Sequence, residues 1–246
     1  MTGFLSRLGR NRKQRTHIWS AVVVAAGTAS RMEGIDKILT TLGDLPVLVH
    51  TLRVFEECPD IAEVVVVTRE DLLVEVGRLC REFQLDKVTK VVVGGAERIH
   101  SVQAGLRETD PAAGLIAIHD GARPLVTVDI LERTIARAAQ TGAAAPAVPV
   151  TDTVKRVDRD LAVETVDRGP LRAVQTPQVF EAGLIRAAVH KALEDGELLT
   201  DDCAAVERLG MKVSMTQGSR ENLKVTTPLD LVLGEAILEA RARGEL

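Results

Sequence analysis

Three short stretches of this chain carry the residues best suited to chemistry. The first, AAGTASRMEGIDK at residues 25–37, follows an apolar run with a turn of small residues and then delivers two cations, Arg31 and Lys37. Small side chains at Ala25, Ala26 and Gly27 let the backbone approach a ligand closely, and two cations on one loop suit a polyphosphate. The loop lacks the Gly-Lys-Ser/Thr of a Walker loop and the second and third glycines of a dinucleotide fingerprint. In the second stretch, VGGAERIHS, Gly94 and Gly95 follow another apolar run, and Ser101 falls near the next helix start, where a hydroxyl can meet a base or a ribose. Both glycines also suit a plain turn. The third stretch, IHDGARP, sets Asp120 and Arg123 on either side of Gly121, able to bind hydroxyls, a cation or both, or to form a structural ion pair.

These stretches need a frame that brings them together. Apolar, β-branched runs recur as AVVVAAG, AEVVVVT, VTKVVVGG, LIAIHDG and AAAPAVPV, and helical periodicity fills most of the gaps between them. The alternation predicts an α/β fold with a mainly parallel sheet covered by helices on both faces. Helices are expected over 46–58, 70–83, 99–108, 128–141, 183–195 and 229–243, with Pro46 in a first helical turn and Gly142 at a helix end. Such sheets bind ligands beyond the carboxyl ends of their strands, which is where all three stretches fall. Residues 151–178 break the rhythm with short alternating runs and turns near 158–160 and 168–170, predicting a β-arm that projects from the sheet. An arm has few ways to bury its own apolar face, so pairing with a second subunit is expected.

Composition narrows the class. With 246 residues and 46% hydrophobic content, the chain can build a sizeable core, and residues 18–246 read as one domain behind a basic tail at 1–17. No apolar run is long enough for a membrane span. The net charge of −4 and the absence of tyrosine argue against nucleic acid as a partner. Cys58, Cys80 and Cys203 lack the paired spacing of a zinc site or disulfide framework and read as thiols in a reducing cytoplasm. The five histidines do not pair at ligand spacing. The basic start, the apolar run and the small residues 26–30 also match the outline of a secretory signal peptide. Cleavage near Ser30 would remove the first strand and turn that the later motifs presuppose, so the strand reading is preferred.

Taken in order, AAGTASRM, DK, VVGGAERIHSV, IHDGARP, PVTDTVKR, TVDRG, QTPQVF, TDD and ENLKVTTPLDL resemble the bacterial 2-C-methyl-D-erythritol 4-phosphate cytidylyltransferases, with matching spacing over residues 20–240. The resemblance implies a Rossmann-like nucleotidyltransferase fold, a homodimer, and transfer of a cytidylyl group from CTP to the substrate phosphate, with Mg2+ required. It assigns transition-state stabilisation to Arg31 and Lys37, and positioning of the substrate phosphate to Arg168 and Lys224. It assigns the CTP pocket to Ala25, Ala26, Gly27, Gly95, Ser101 and Gly121, and substrate contacts to Asp120, Arg123 and Thr153, with Asp120 also near the metal. Thr153 and Arg168 would serve the neighbouring subunit. The chain departs from the family pattern at Ala29, at Asp36 and Ile38 flanking Lys37, and at Ala96. An acid beside Lys37 is expected to weaken the local positive potential. An alditol phosphate cytidylyltransferase, acting for example on ribitol 5-phosphate, and a catalytically silent nucleotide-binding protein are the alternatives the residues leave open.

Overall fold

The computed structural model describes residues 19–27, 36–197 and 199–246. In chain order it runs β1 (Trp19–Val24), β2 (Thr41–Leu42), β3 (Leu45–Pro46), α1 (Val47–Glu57), β4 (Glu63–Thr68), a 3-10 turn (Glu70–Leu72), α2 (Leu73–Glu82), β5 (Val88–Val93), α3 (Arg98–Glu108), β6 (Leu115–Asp120) and α4 (Val128–Thr141). There follow β7 (Ala143–Pro149), β8 (Val154–Asp158), β9 (Leu161–Val166), β10 (Arg172–Val174), β11 (Gln178–Glu181), α5 (Ala182–Glu194), α6 (Asp202–Arg208), β12 (Ser214–Gln217) and α7 (Pro228–Ala242).

The parallel half of the main sheet forms because β1, β4, β5 and β6 are apolar runs separated by helices long enough to cross over. β1 lies between β6 and β4, and β5 pairs with β4. Successive side chains of a strand point to opposite faces, and both faces are covered. Ala21 and Val23 pack with α1, α2 and α4 through Leu52, Val76 and Ile135, whereas Val22 packs with α3 and α5 through Val102 and Ile185. Val64 and Val66 of β4 join the first layer and Val67 the second, as do Ala117 and Ile118 of β6. Trp19–Val24 is therefore a central strand of the sheet, as the strand reading expects.

The expected helices are present within a residue of their bounds, except that 70–83 opens as a 3-10 turn over Glu70–Leu72 before α2 begins at Leu73. Pro46 stands just before the first helical residue at φ −56° and ψ 143°, and Gly142 ends α4 in the left-handed region at φ 82°.

The expected arm of 151–178 is shorter than predicted. Only β8 and β9 stand apart, as a hairpin closed by Arg159 and Asp160 at positive φ. Residues after 171 return to the main sheet: β10 pairs antiparallel with β7, and β11 with β6 and β7. The reason is burial, since Val179 and Phe180 are fully enclosed between the helical layers, while hairpin residues Val157, Leu161 and Val163 are exposed. The short elements β2, β3, α6 and β12 were not foreseen; none is long enough to show a period of its own.

Candidate active site

A cavity of about 270 Å3 opens at the carboxyl ends of β1, β5 and β6. Its floor is Val24 to Gly27, its sides are Gly95 to Arg98 with Ser101, and Lys37, Asp120, Ala122 and Lys224 reach it from three further segments. Backbone hydrogen bonds hold these strand ends in register: Ala25 N donates to Val67 O at 2.7 Å, Gly121 N to Val24 O at 2.8 Å, and Val225 N to Ala122 O at 2.8 Å. The last of these brings the Lys224 segment onto the end of β6.

Close approach explains two of the glycines. A Cβ on Gly94 would come within 2.6 Å of both Ala26 Cβ and Ser101 Oγ, so no side chain fits between the first turn and α3. A Cβ on Gly121 would lie 2.9 Å from Ala25 Cβ. Gly121 thus stands behind the cavity wall and is not among its lining residues. Ser101 is buried, and its Oγ accepts the Gly95 N–H at 3.2 Å, which ties the glycine turn to α3.

Asp120 is the electrostatic centre. Its Oδ2 lies 3.1 Å from Lys224 Nζ and 3.2 Å from Arg123 Nε, and its Oδ1 lies 3.6 Å from Arg98 Nε. Burial alone would raise the carboxyl pKa, but Lys224, Arg98 and Arg123 outweigh it and hold the group well below the usual carboxylate range. Asp120 is therefore ionised at neutral pH. Arg98 in turn makes a bidentate pair with the buried Asp202 at 2.7 Å for each contact, fixing it against α6.

Lys37 lies in a turn that Asp36 opens. Asp36 Oδ1 accepts the Ile38 N–H at 3.2 Å, its main-chain carbonyl accepts from Leu39 and Thr40, and its Oδ2 meets Arg69 Nη2 at 2.6 Å. The acid expected to weaken the potential beside Lys37 is thus matched by Arg69 and caps the turn that presents the lysine.

Of the remaining expected site residues, Arg123 is partly buried, is not among the residues that line the cavity, and donates from Nη1 to Asn222 O at 2.9 Å. Thr153 and Arg168 are exposed and stand outside the cavity of their own chain; Arg168 bonds the Thr151 carbonyl at the base of the hairpin. Arg31 and Ala29 lie outside the described residues. The cysteines are buried, and burial pushes the Cys80 thiol up to about 11, which suits packing rather than reactivity. Sequence reasoning placed Arg98 and His119 in candidate stretches after strands without giving them a role, and it missed Asp202 and the buried polar residues Gln175, Thr176 and Asn222. The strings ERIHS, IHDG, TDD, QTPQ and ENLK contain them, but nothing in a string distinguishes a buried asparagine from a surface one.

A cavity at these strand ends, lined by small-residue turns, by Lys37, Arg98 and Lys224, and by Glu97 and the ionised Asp120, has the form of a nucleotide site. The family model described as 2-C-methyl-D-erythritol 4-phosphate cytidylyltransferase (IspD) matches residues 19–240. The chain belongs to that family. It is 46% identical over 226 residues to the 2-C-methyl-D-erythritol 4-phosphate cytidylyltransferase of Halalkalibacterium halodurans, covering 92% of this chain and 99% of the relative. The protein of that name from Caldanaerobacter subterraneus is 45% identical, covering 89% and 98%. Among solved structures, the 4-diphosphocytidyl-2C-methyl-D-erythritol synthase of Anaerococcus prevotii superposes with a TM-score of 0.81 at 29% identity, covering 91% of this chain and 96% of that one. The Thermus thermophilus cytidylyltransferase gives 0.75 at 32% identity, covering 89% and 98%. The mainly parallel sheet and its two helical layers are thus the Rossmann-like fold of the IspD family.

Proposed function

We propose that this chain converts CTP and 2-C-methyl-D-erythritol 4-phosphate into 4-diphosphocytidyl-2-C-methyl-D-erythritol and pyrophosphate. The observation that carries the reading is the convergence of Lys37, Asp120 and Lys224 on one cavity with the Ala25–Gly27 and Gly95 turns, in a chain of this family.

An oxygen of the substrate phosphate attacks the α-phosphorus of CTP in line; the new P–O bond forms as the bond to the β-phosphate oxygen breaks and pyrophosphate departs. The attacking phosphate is already ionised near neutral pH, so no protein nucleophile is required. The protein's part is position and charge. Ala25, Ala26, Gly27, Gly95 and Ser101 hold the nucleotide, with Gly121 letting the strand ends close behind it. Lys37, with Arg31, meets the negative charge that builds on the α-phosphate oxygens and the leaving group. Lys224 orients the attacking phosphate, and Asp120 with Arg123 holds substrate hydroxyls and the lysine together.

Mg2+ fits this donor set. It binds oxygen, relies on few protein carboxylates and leans on substrate phosphates and water. Asp120 is ionised, and its Oδ1 lies beyond hydrogen-bond distance of Arg98, so it keeps acceptor capacity for the ion. When bound, the ion would neutralise phosphate charge. Among the described residues there is no group of three or more His, Cys, Asp or Glu side chains placed to hold a metal without substrate.

The exposed apolar hairpin and the exposure of Thr153 and Arg168 support a homodimer in which each arm completes the neighbour's site. Among the described residues no helix is long and apolar enough to cross a membrane. The three buried thiols fit work in the cytoplasm. Pyrophosphate release from CTP and Mg2+ tests the reading, comparing methylerythritol phosphate, ribitol 5-phosphate and no acceptor. Release with methylerythritol phosphate alone is expected, and release with ribitol phosphate alone would move the chain to the alditol phosphate reading.

A further inference from the structure

Asn222 stands two positions before Lys224 and is fully buried. Its Nδ2 donates to Thr176 O at 3.0 Å, and its main-chain carbonyl accepts Arg123 Nη1 at 2.9 Å. Thr176 Oγ1 accepts the Asp120 N–H at 3.1 Å and lies 2.9 Å from His119 Nδ1. Arg123 O can only accept, so neutral His119 carries its proton on Nε2, 3.4 Å away, and its Nδ1 accepts the Thr176 hydroxyl proton. Gln175 completes the set by donating from Nε2 to Ser219 O at 2.7 Å. One asparagine is thus bonded to the segments that carry Arg123 and, through Thr176, Asp120, while its own segment carries Lys224.

The same asparagine has a cost. Among the described residues its buried Oδ1 meets no hydrogen-bond donor, and a buried acceptor left unmet destabilises the fold. Stability alone therefore does not account for this side chain. Position does: the Lys224 side chain is 38% exposed, and its flexible stem can deliver the ammonium to Asp120 only if its backbone is fixed.

We infer that Asn222 is a positioning residue for the transfer, holding the Lys224 segment against the end of β6 so that the ammonium is set where the acceptor phosphate must lie. The inference rests on the proposed reaction and on Lys224 contacting the acceptor.

A double-mutant cycle tests it, using Asn222→Ala, Lys224→Ala and the double variant of the full chain, with Asn222→Ser as a milder change should the alanine variant fold poorly. Initial rates of pyrophosphate release give kcat and KM for each substrate, and an active-site titration counts competent molecules. The KM for methylerythritol phosphate should rise about tenfold in Asn222→Ala while that for CTP stays within about twofold, and in the Lys224→Ala background the same change should cost less than about twofold. A purely structural asparagine would lower the count of competent molecules and leave both KM values in place. That result, or an equal loss in both backgrounds, overturns the inference while the reaction stands. A wild-type chain that releases no pyrophosphate strikes the functional reading itself and the inference with it.

Discussion

Lys224 Nζ lies 3.1 Å from Asp120 Oδ2, joining the segment before α7 to the carboxyl end of β6. The pair sits at the cavity mouth with Arg123 below it and Arg98 beside it, so a single carboxylate faces three cations. Such an arrangement keeps Asp120 charged and, with Arg98 matched by Asp202, leaves Lys224 and Arg123 sharing one carboxylate, a cation in excess for phosphates. A site that must gather two phosphorylated substrates has use for both.

Lys37→Ala should cut kcat by about 10²- to 10³-fold, because it removes a cation directed at charge that grows only in the transition state. Thermal unfolding should barely change. Steady-state kinetics beside a melting curve checks both, and unchanged turnover would remove Lys37 from the mechanism.

Asp120→Asn replaces the shared partner of Lys224, Arg98 and Arg123 with a neutral amide. The loss should be roughly 2 kcal/mol of stability, less than for a fully buried pair because the Lys224 head reaches water. Activity should fall further than stability explains. Urea unfolding gives the first quantity and rates at saturating substrate the second; an equally stable variant would show that the cluster tolerates its cations unpaired.

His119 supplies a pH dependence. Burial pushes its pKa down from 6.5 to about 3, with Asp120 opposing and Arg123 assisting. In that window the unfolded chain binds a proton that the folded chain does not, so stability is full above about pH 6.5 and is lost as pH falls toward 3, at up to about 1.4 kcal/mol per pH unit. The lowered Asp120 carboxyl acts in the same direction at the acid end of that range. His119→Gln should flatten the slope between pH 4 and 6 in urea titrations; an unaltered slope would place the proton uptake elsewhere.

Mixed dimers test whether the site is shared. Lys37→Ala and Arg168→Ala chains, each inactive alone, should regain about a quarter of wild-type activity on co-refolding, since half of the dimers are mixed and each then holds one intact site. Absence of any recovery would mean that Arg168 serves its own chain or none.

Much of this was legible in the sequence. Alternating apolar runs and helical periods determined the α/β class, because a strand buried on both faces must be apolar throughout, and the motifs fell at strand ends where such sheets bind ligands. Ala25 to Gly27, Lys37, Gly95, Ser101 and Asp120 were singled out from residue type and position, Lys224 from the family resemblance, and all line one cavity. Short elements were not legible: α6 spans too few residues to show a period, and β10 and β11 read as part of the arm because an isolated strand of three or four residues carries no sign of which sheet it joins. Nor was the partnership of Asp36 with Arg69, or that of Arg98 with Asp202, since charge pairing depends on distances that only the packed chain sets. The sequence by itself determined which groups could do the chemistry. Tertiary structure decided which are held still, through buried hydrogen bonds of Asn222, Thr176 and His119 that exist only once water has been excluded from around them.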